Sequence, residues 1–287
     1  MSKRGYIYSG IAVVIILIIF GGHYLSSSTS KGNSKGVTTI NVAGVTANRP
    51  YTFPEGNKIS GYDGELLQRI DKDLPQYKFK YSTASQNSVF VGLQSGKYDL
   101  ASSGFWYSAD RAKTYLISAP TGIADLRLVY RNNEGKINGF KDLVQKNLKL
   151  APISSDDARY NVVQQYNQAN PKYKVNLKAI GDVTAGDALK QLQEKQFDAV
   201  FYPYQAYFPV KDSGGATVLT VSPSIGLAND YFYLNQSSKN KALVKAINAD
   251  LKKLQKSGYL EKLSKKWLGE NVFKLKGATQ RFANPKG

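Results

Sequence analysis

The sequence predicts an α/β fold of two similar lobes facing each other across a cleft, and two observations carry that expectation. The first is a strand–helix–strand unit that occurs twice. Leu93-Gln94 followed by Tyr98-Asp99-Leu100-Ala101 is matched in spacing and residue type by Leu192-Gln193 followed by Phe197-Asp198-Ala199-Val200. Upstream of each lies an alternating segment, residues 77–81 and 173–177. The two copies stand about a hundred residues apart, too long for a solenoid period, so they read as duplicated architecture. The second observation is the stretch LQSGKYDLASSGFWYSADR, residues 93–111. Ser95-Gly96 stops a helix, because glycine takes the left-handed C-cap conformation without steric cost. A short buried strand follows at residues 98–101. Ser102-Ser103-Gly104 then leads to aromatics and Arg111. Open α/β sheets bind small anions at strand ends of this composition. The same residues also suit a βα loop with a surface arginine.

Composition removes several classes of function. The 287 residues suffice for two domains or one large one. There is no cysteine, hence no disulfide framework and no thiolate chemistry. The single histidine, His23, borders an apolar segment, so neither a Ser-His-Asp triad nor a histidine metal site is expected, and no cofactor is called for. The formal net charge is +18. Its lysines are dispersed and no nucleic-acid-binding signature appears, so the outer face of an anionic envelope is the favoured setting over nucleic acid.

Taken in order, Lys3 and Arg4 precede an uncharged run at residues 11–20. The positive-inside rule keeps those cations in the cytoplasm and sends the rest outward. Residues 1–25 therefore read as a signal anchor, or as a signal peptide, the apolar stretch being close to the ~20 residues of a spanning helix. Residues 26–36, rich in Ser, Gly and Lys, form a flexible linker with a reach of roughly 15–20 Å. A first strand is expected at 39–43, a loop at 45–51, and a helix whose apolar face carries Leu66, Leu67 and Ile70. A second strand follows at 77–81, and residues 85–88 cap the next helix. Beyond Arg111, residues 117–122 read as a loop and 126–130 as a strand crossing between lobes. A short helix at 140–144 and a strand at 148–153 come next. Ser154 is expected to N-cap a helix with Asp156 and Asp157 in its first turn. Such a helix start is usually only a cap, but pointed into a cleft it binds a carboxylate. Strands at 197–202 and 230–234 precede a long helix bearing Leu243, Ile247, Leu251 and Leu254. Gly258 breaks it, and Leu260, Leu263 and Trp267 mark another. Residues 274–287 read as a loose basic tail.

Several short motifs then fall in one familiar order. They are Pro50-Tyr51-Thr52-Phe53, Gly61-Tyr62-Asp63-Gly64-Glu65-Leu66, Gly92-Leu93-Gln94-Ser95-Gly96-Lys97-Tyr98-Asp99, Ser108-Ala109-Asp110-Arg111, Phe197-Asp198-Ala199-Val200, and Lys266-Trp267-Leu268-Gly269. With them the chain resembles the extracellular solute-binding proteins of polar amino-acid ABC transporters over residues 39–269. The resemblance implies the type II periplasmic-binding-protein architecture, two α/β lobes joined by two crossing strands. Lobe 1 would comprise residues 37–126 and 226–287, and lobe 2 residues 127–225. It implies that Arg111 grips the ligand α-carboxylate, a task suited to the guanidinium fork. Gly104 and Trp106 match positions whose backbone meets the ligand, Asn48 and Gln86 match pocket walls, and Ser154 and Ser155 match the helix start that helps bind the carboxylate. The family usually places an aspartate where Pro203 stands, to pair with the ligand amine. Either the ligand is not a simple α-amino acid, or Asp157 or Asp230 supplies that charge.

The implied function is capture of a small polar solute with a carboxylate, by a monomer that delivers it to a membrane permease. An enzyme on the same fold would need paired acids in the cleft segments, and none cluster there. A sensor or adhesion domain would suit the anchor, but no cytoplasmic module precedes it.

Overall fold

The computed structural model describes residues 36–155, 157–181, 183–207 and 218–283. The anticipated membrane segment at residues 1–25 lies outside them, and no helix among the described residues is long and apolar enough to cross a membrane. Residues 37–287 form one compact unit. Among the described residues it carries four buried apolar clusters, the kind of core an independent domain is built on.

The backbone of the fold is a single mixed sheet. Strand β1 (Thr38–Val45) lies parallel to β4 (Tyr77–Ala84) on one side and to β5 (Leu100–Trp106) on the other. The order continues through β12 (Gly226–Leu234) and β7 (Gly122–Arg131) to β10 (Ala199–Pro203), with the short β6 (Leu116–Ile117) pairing β12 and β11 (Leu219–Val221) pairing β7. β7 and β12 pair antiparallel, Gly122 to Leu126 against Asp230 to Gly226, and run from one core into the other. Both are buried along almost their whole length, as central strands covered on two faces must be. Helices α1 (Tyr62–Asp73), α2 (Gln86–Gln94), α3 (Ala109–Thr114), α4 (Phe140–Gln145), α5 (Ala158–Ala169), α6 (Ala185–Gln193), α7 (Ser238–Lys256), α8 (Tyr259–Leu268) and α9 (Ala278–Ala283) cover it. Around β1 and β4, Ile40 and Val42 pack on Leu66, Leu67 and Ile70 of α1 and on Leu243, Ile247 and Leu251 of α7. Around β7 and β10, Leu126, Leu128 and Phe201 pack on Phe140, Leu143 and Val163. These two clusters lie one in each of the two lobes.

Local signals held where they rest on backbone chemistry. Ser85 N-caps α2 and accepts the Ser88 amide, and Gly96 and Gly258 sit at φ 79° and 73°, in the left-handed region that ends α2 and α7. Elsewhere the structure corrects the sequence reading. β5 does not end at Ala101 but continues to Trp106, because Phe105 and Trp106 pair with Tyr231 and Asp230; Gly104, at φ 60°, lies within the stretch where the register shifts. Residues 148–153 are not a full strand; Leu150 makes one bridge to Ala199, and only Ile153–Ser154 (β8) pairs, with β9 (Ala179–Ile180). The alternating segment at 173–177 has no strand either; Pro171–Tyr173 turns as a 3-10 helix, where the proline can offer no ladder donor. The repeat is thus real for α2–β5 and α6–β10 but not for the strand before them. β2 (Phe53–Glu55) and β3 (Lys58–Ser60) form a hairpin just after the expected loop, where the sequence suggested no strand. The tail is not loose throughout: α9 is anchored by its Arg281 carbonyl, which accepts from Asn229 Nδ2 at 2.7 Å.

Candidate ligand-binding site

Strand ends and helix starts from both lobes line one cavity of about 360 Å3. One wall is built from the turn after β1, the start of α2, and the end of β5 with Arg111; the other comes from the β8–α5 turn, the start of α6 and the end of β10. The carboxyl ends of parallel strands are where open α/β sheets bind ligands.

The first wall is held by hydrogen bonds behind it. Asp63, fully buried at the start of α1, accepts the Gly104 amide at 2.7 Å and the Ser102 hydroxyl at 2.8 Å through Oδ2. Asn48 Nδ2 donates to the Ser103 carbonyl at 2.9 Å and to its hydroxyl at 2.8 Å, and Thr52 Oγ1 meets the same hydroxyl at 2.7 Å. Gly104 is required here: a Cβ would lie 2.7 Å from the Tyr51 ring, and φ 60° would strain any side chain. Arg111 stands above this wall, its guanidinium 3.9 Å from the Phe90 ring centroid, with the rings of Phe105 and Tyr233 at 5.8 and 5.9 Å. Aromatic faces of this kind attract a guanidinium and help to position it.

The second wall turns on a pair within one helix start. Asp157, not Ser154, is the N-cap of α5, because pairing with Ile180 holds Ser154 extended in β8. Asp157 Oδ1 accepts from the Arg159 amide at 2.8 Å and from Nε at 2.9 Å, and Oδ2 accepts from Nη2 at 2.6 Å. Arg159 also donates to the Phe201 carbonyl at 3.2 Å and lies 3.6 Å from the Tyr202 ring centroid. Burial pushes the Asp157 carboxyl up, but the Arg159 charge and its hydrogen bonds overcome that and hold it below the usual carboxylate range.

Of the residues singled out in the sequence, Asn48, Gln86, Gly104, Trp106, Arg111, Ser154 and Asp157 line the cavity. Ser155 is exposed in the turn and does not. Asp230 does not either: it is fully buried on β12, so it cannot meet a ligand amine in the cavity. Burial raises its carboxyl well above the ordinary range, and the Asp63 charge adds to that. The backbone groups of Gly104 and Trp106 are partly spent, the Gly104 amide on Asp63 and the Trp106 carbonyl on Tyr233 Oη at 2.7 Å. Sequence reading missed Arg159, Tyr51 and Tyr202. An Asp-x-Arg at a helix start was the available signal for Arg159.

Asp63 supplies a pH test. Burial lifts its carboxyl from 3.8 to about 6, against the Gly104 and Ser102 hydrogen bonds. A raised folded-state pKa contributes stability that is fully present below about 4 and lost as pH rises through about 6. Asp63→Asn keeps an acceptor for Gly104 but cannot ionise. Urea unfolding should show this variant gaining about 2–3 kcal/mol on the wild type between pH 4 and pH 7.5. A pH-independent difference would show that Asp63 ionisation is not coupled to folding.

The model of the bacterial extracellular solute-binding proteins, family 3, matches residues 40–270, most of the chain and all of the cavity wall. The chain belongs to this family. As a family 3 solute-binding protein it is a binding component of an ABC importer acting outside the cytoplasm, not an enzyme. It is similar to the L-cystine-binding protein TcyJ of Bacillus subtilis, 27% identical over 276 residues that span 96% of this chain and 98% of the relative. The L-cystine-binding protein TcyK of the same organism is 28% identical over 86% of this chain and 90% of its own. Among solved structures, one from work on glutathione import via GshT and the cystine importer TcyBC of Streptococcus mutans superposes with a TM-score of 0.71 at 28% identity, covering 82% of this chain and 96% of the other. A putative L-cystine ABC transporter structure from Listeria monocytogenes gives 0.67 at 27%, over 82% and 98%.

Proposed function

We propose that this family 3 protein captures an amino acid or short peptide of about the size of cystine in the cavity between its lobes. It works as a monomer held at the outer face of the cytoplasmic membrane, and hands the solute to a permease. The lobes are residues 37–126 with 226–287, and residues 127–225, and β7 and β12 are the hinge about which they close. Arg111 grips the ligand carboxylate. The observation that carries this reading is the cavity of about 360 Å3, walled by strand and helix ends of both lobes and carrying the Arg111 guanidinium. The size is within the range of pockets that enclose a small ligand. Similarity to L-cystine-binding proteins and to the glutathione-import structure points the same way.

At the other end of the ligand the usual acid is absent. Pro203 closes β10 in its place, and the Asp157 carboxylate accepts three hydrogen bonds from Arg159. The ligand amine therefore matters less than its carboxylate. A thermal-shift screen of residues 37–287 against L-cystine, glutathione and the common amino acids tests the reading. A ligand at a hundred times its Kd adds about 2.7 kcal/mol of stability. Titration of the responding compound, its N-acetyl form and its amide should then show the amide losing more affinity. No response to any amino acid or peptide would sink the proposal.

A further inference from the structure

A row of lysines on α7 has no part in the cavity. The buried face of this 19-residue helix is Asn240, Leu243, Ile247, Asp250, Leu251 and Leu254. On the opposite face stand Lys241, Lys245, Lys252 and Lys256, all exposed. Their spacings of four, seven and four residues put them in one stripe at 3.6 residues per turn, about 22 Å long at 1.5 Å per residue. No ion pair among the described residues uses any of the four, and the helix's one acid, Asp250, is buried on the other side. Four like charges in a line repel one another, and isolated surface lysines are normally interspersed with acids. The stripe is therefore an unmatched cationic surface on an already basic protein.

Where the chain enters the fold says what lies opposite. Thr38 opens β1, and Lys239 at the start of α7 reaches the Thr39 carbonyl at 3.5 Å, so the N-terminal segment leaves the fold beside this helix. The sequence before it is an eleven-residue Ser/Gly/Lys linker, with reach of roughly 15–20 Å, behind an uncharged apolar run. The cavity residues Val45 to Asn48 lie at the far end of the eight-residue strand β1. A surface met by the α7 stripe would leave them open.

We propose that the Lys241–Lys245–Lys252–Lys256 stripe docks on anionic phospholipid headgroups, laying α7 against the membrane, an inference that rests on the proposed anchoring of the chain at the outer face. Each lysine near such a surface adds favourable electrostatic energy that fades within a Debye length, so several weak contacts sum to useful binding only near the bilayer. The tether supplies that nearness as effective concentration. The docked state would hold the cavity outward for capture without any added protein contact.

The test uses residues 37–287, which form the compact unit and lack the apolar run that would insert by itself. Sedimentation with vesicles of phosphatidylcholine alone and with 30 mol% phosphatidylglycerol, at low salt, should show at least tenfold tighter binding to the anionic vesicles. Lys241→Glu, Lys245→Glu, Lys252→Glu and Lys256→Glu together should abolish the difference. The matched control is Lys136→Glu, Lys172→Glu, Lys174→Glu and Lys178→Glu, which alters net charge equally on exposed lysines elsewhere and should retain most binding. Equal loss in both variants would show a net-charge effect with no docking face, and overturn the proposal. So would equal binding to both vesicle types, or selective binding to an anionic wall polymer in place of lipid. Thermal melts of the variants verify folding, and ligand affinity should be unchanged in all of them.

Discussion

Arg111→Ala is expected to weaken binding of the carboxylate ligand by roughly thirty- to several-thousand-fold, the 2–5 kcal/mol that follows when one partner of a desolvated charge pair is removed. The guanidinium lies 3.9 Å from the Phe90 ring centroid beside the first wall of the cavity, on α3, whose N-cap Ser108 accepts the Arg111 amide. The ring faces fix its plane, so the arginine meets a carboxylate without first being ordered, and little entropy is lost on binding. Arg111→Lys should recover little. An ammonium is a point charge that cannot present two parallel donors to a carboxylate. Calorimetric titration of both variants with the ligand found by screening decides it. Wild-type affinity in Arg111→Ala would return the residue to the role of a surface arginine and remove the carboxylate clamp, while leaving the fold and family unaffected.

Arg159→Ala is expected to destabilise the protein by about 3–5 kcal/mol, the usual penalty for stripping one partner from a buried ion pair. Asp157 would lose a 2.6 Å and a 2.9 Å bond while remaining largely buried, and the Phe201 carbonyl would lose its donor. Because Asp157 is held below its ordinary pKa, it contributes stability that is present above about pH 4 and lost as pH falls through its folded value. Arg159→Ala should lower the plateau and remove that acid-side dependence or turn it the other way, since burial would then push the Asp157 carboxyl up. Urea unfolding at pH 7 and at pH 3–4 measures both. The double variant Arg159→Leu/Asp157→Ala should be less harmful than the single one, since no unpaired charge stays behind. A single-variant loss under about 1 kcal/mol would mean the pair is solvated and does not anchor the second wall.

What the sequence by itself determined were features written in local chemistry. Helix caps at Ser85 and Gly96, the apolar faces of α1, α7 and α8, the paired α2–β5 and α6–β10 units and the motif order that marks the family depend on neighbours within a few residues. So did the presence of Asn48, Gln86, Gly104, Trp106, Arg111, Ser154 and Asp157 along segments that come to line one cavity. Tertiary structure alone decided how those residues are used. Asp230 reads as a free acid at a strand start, but β12 runs through the middle of the sheet and buries it. The Gly104 amide reads as a ligand donor, but Asp63, 41 residues earlier, takes it. Residues 173–177 alternate like a strand, yet they have no partner edge, and the short β9 pairs instead with β8. Strand extent, burial and hydrogen-bond partners are set by contacts between residues far apart in sequence. A carboxylate becomes a ligand contact, an N-cap or a buried acid according to which of those contacts surround it in the folded state.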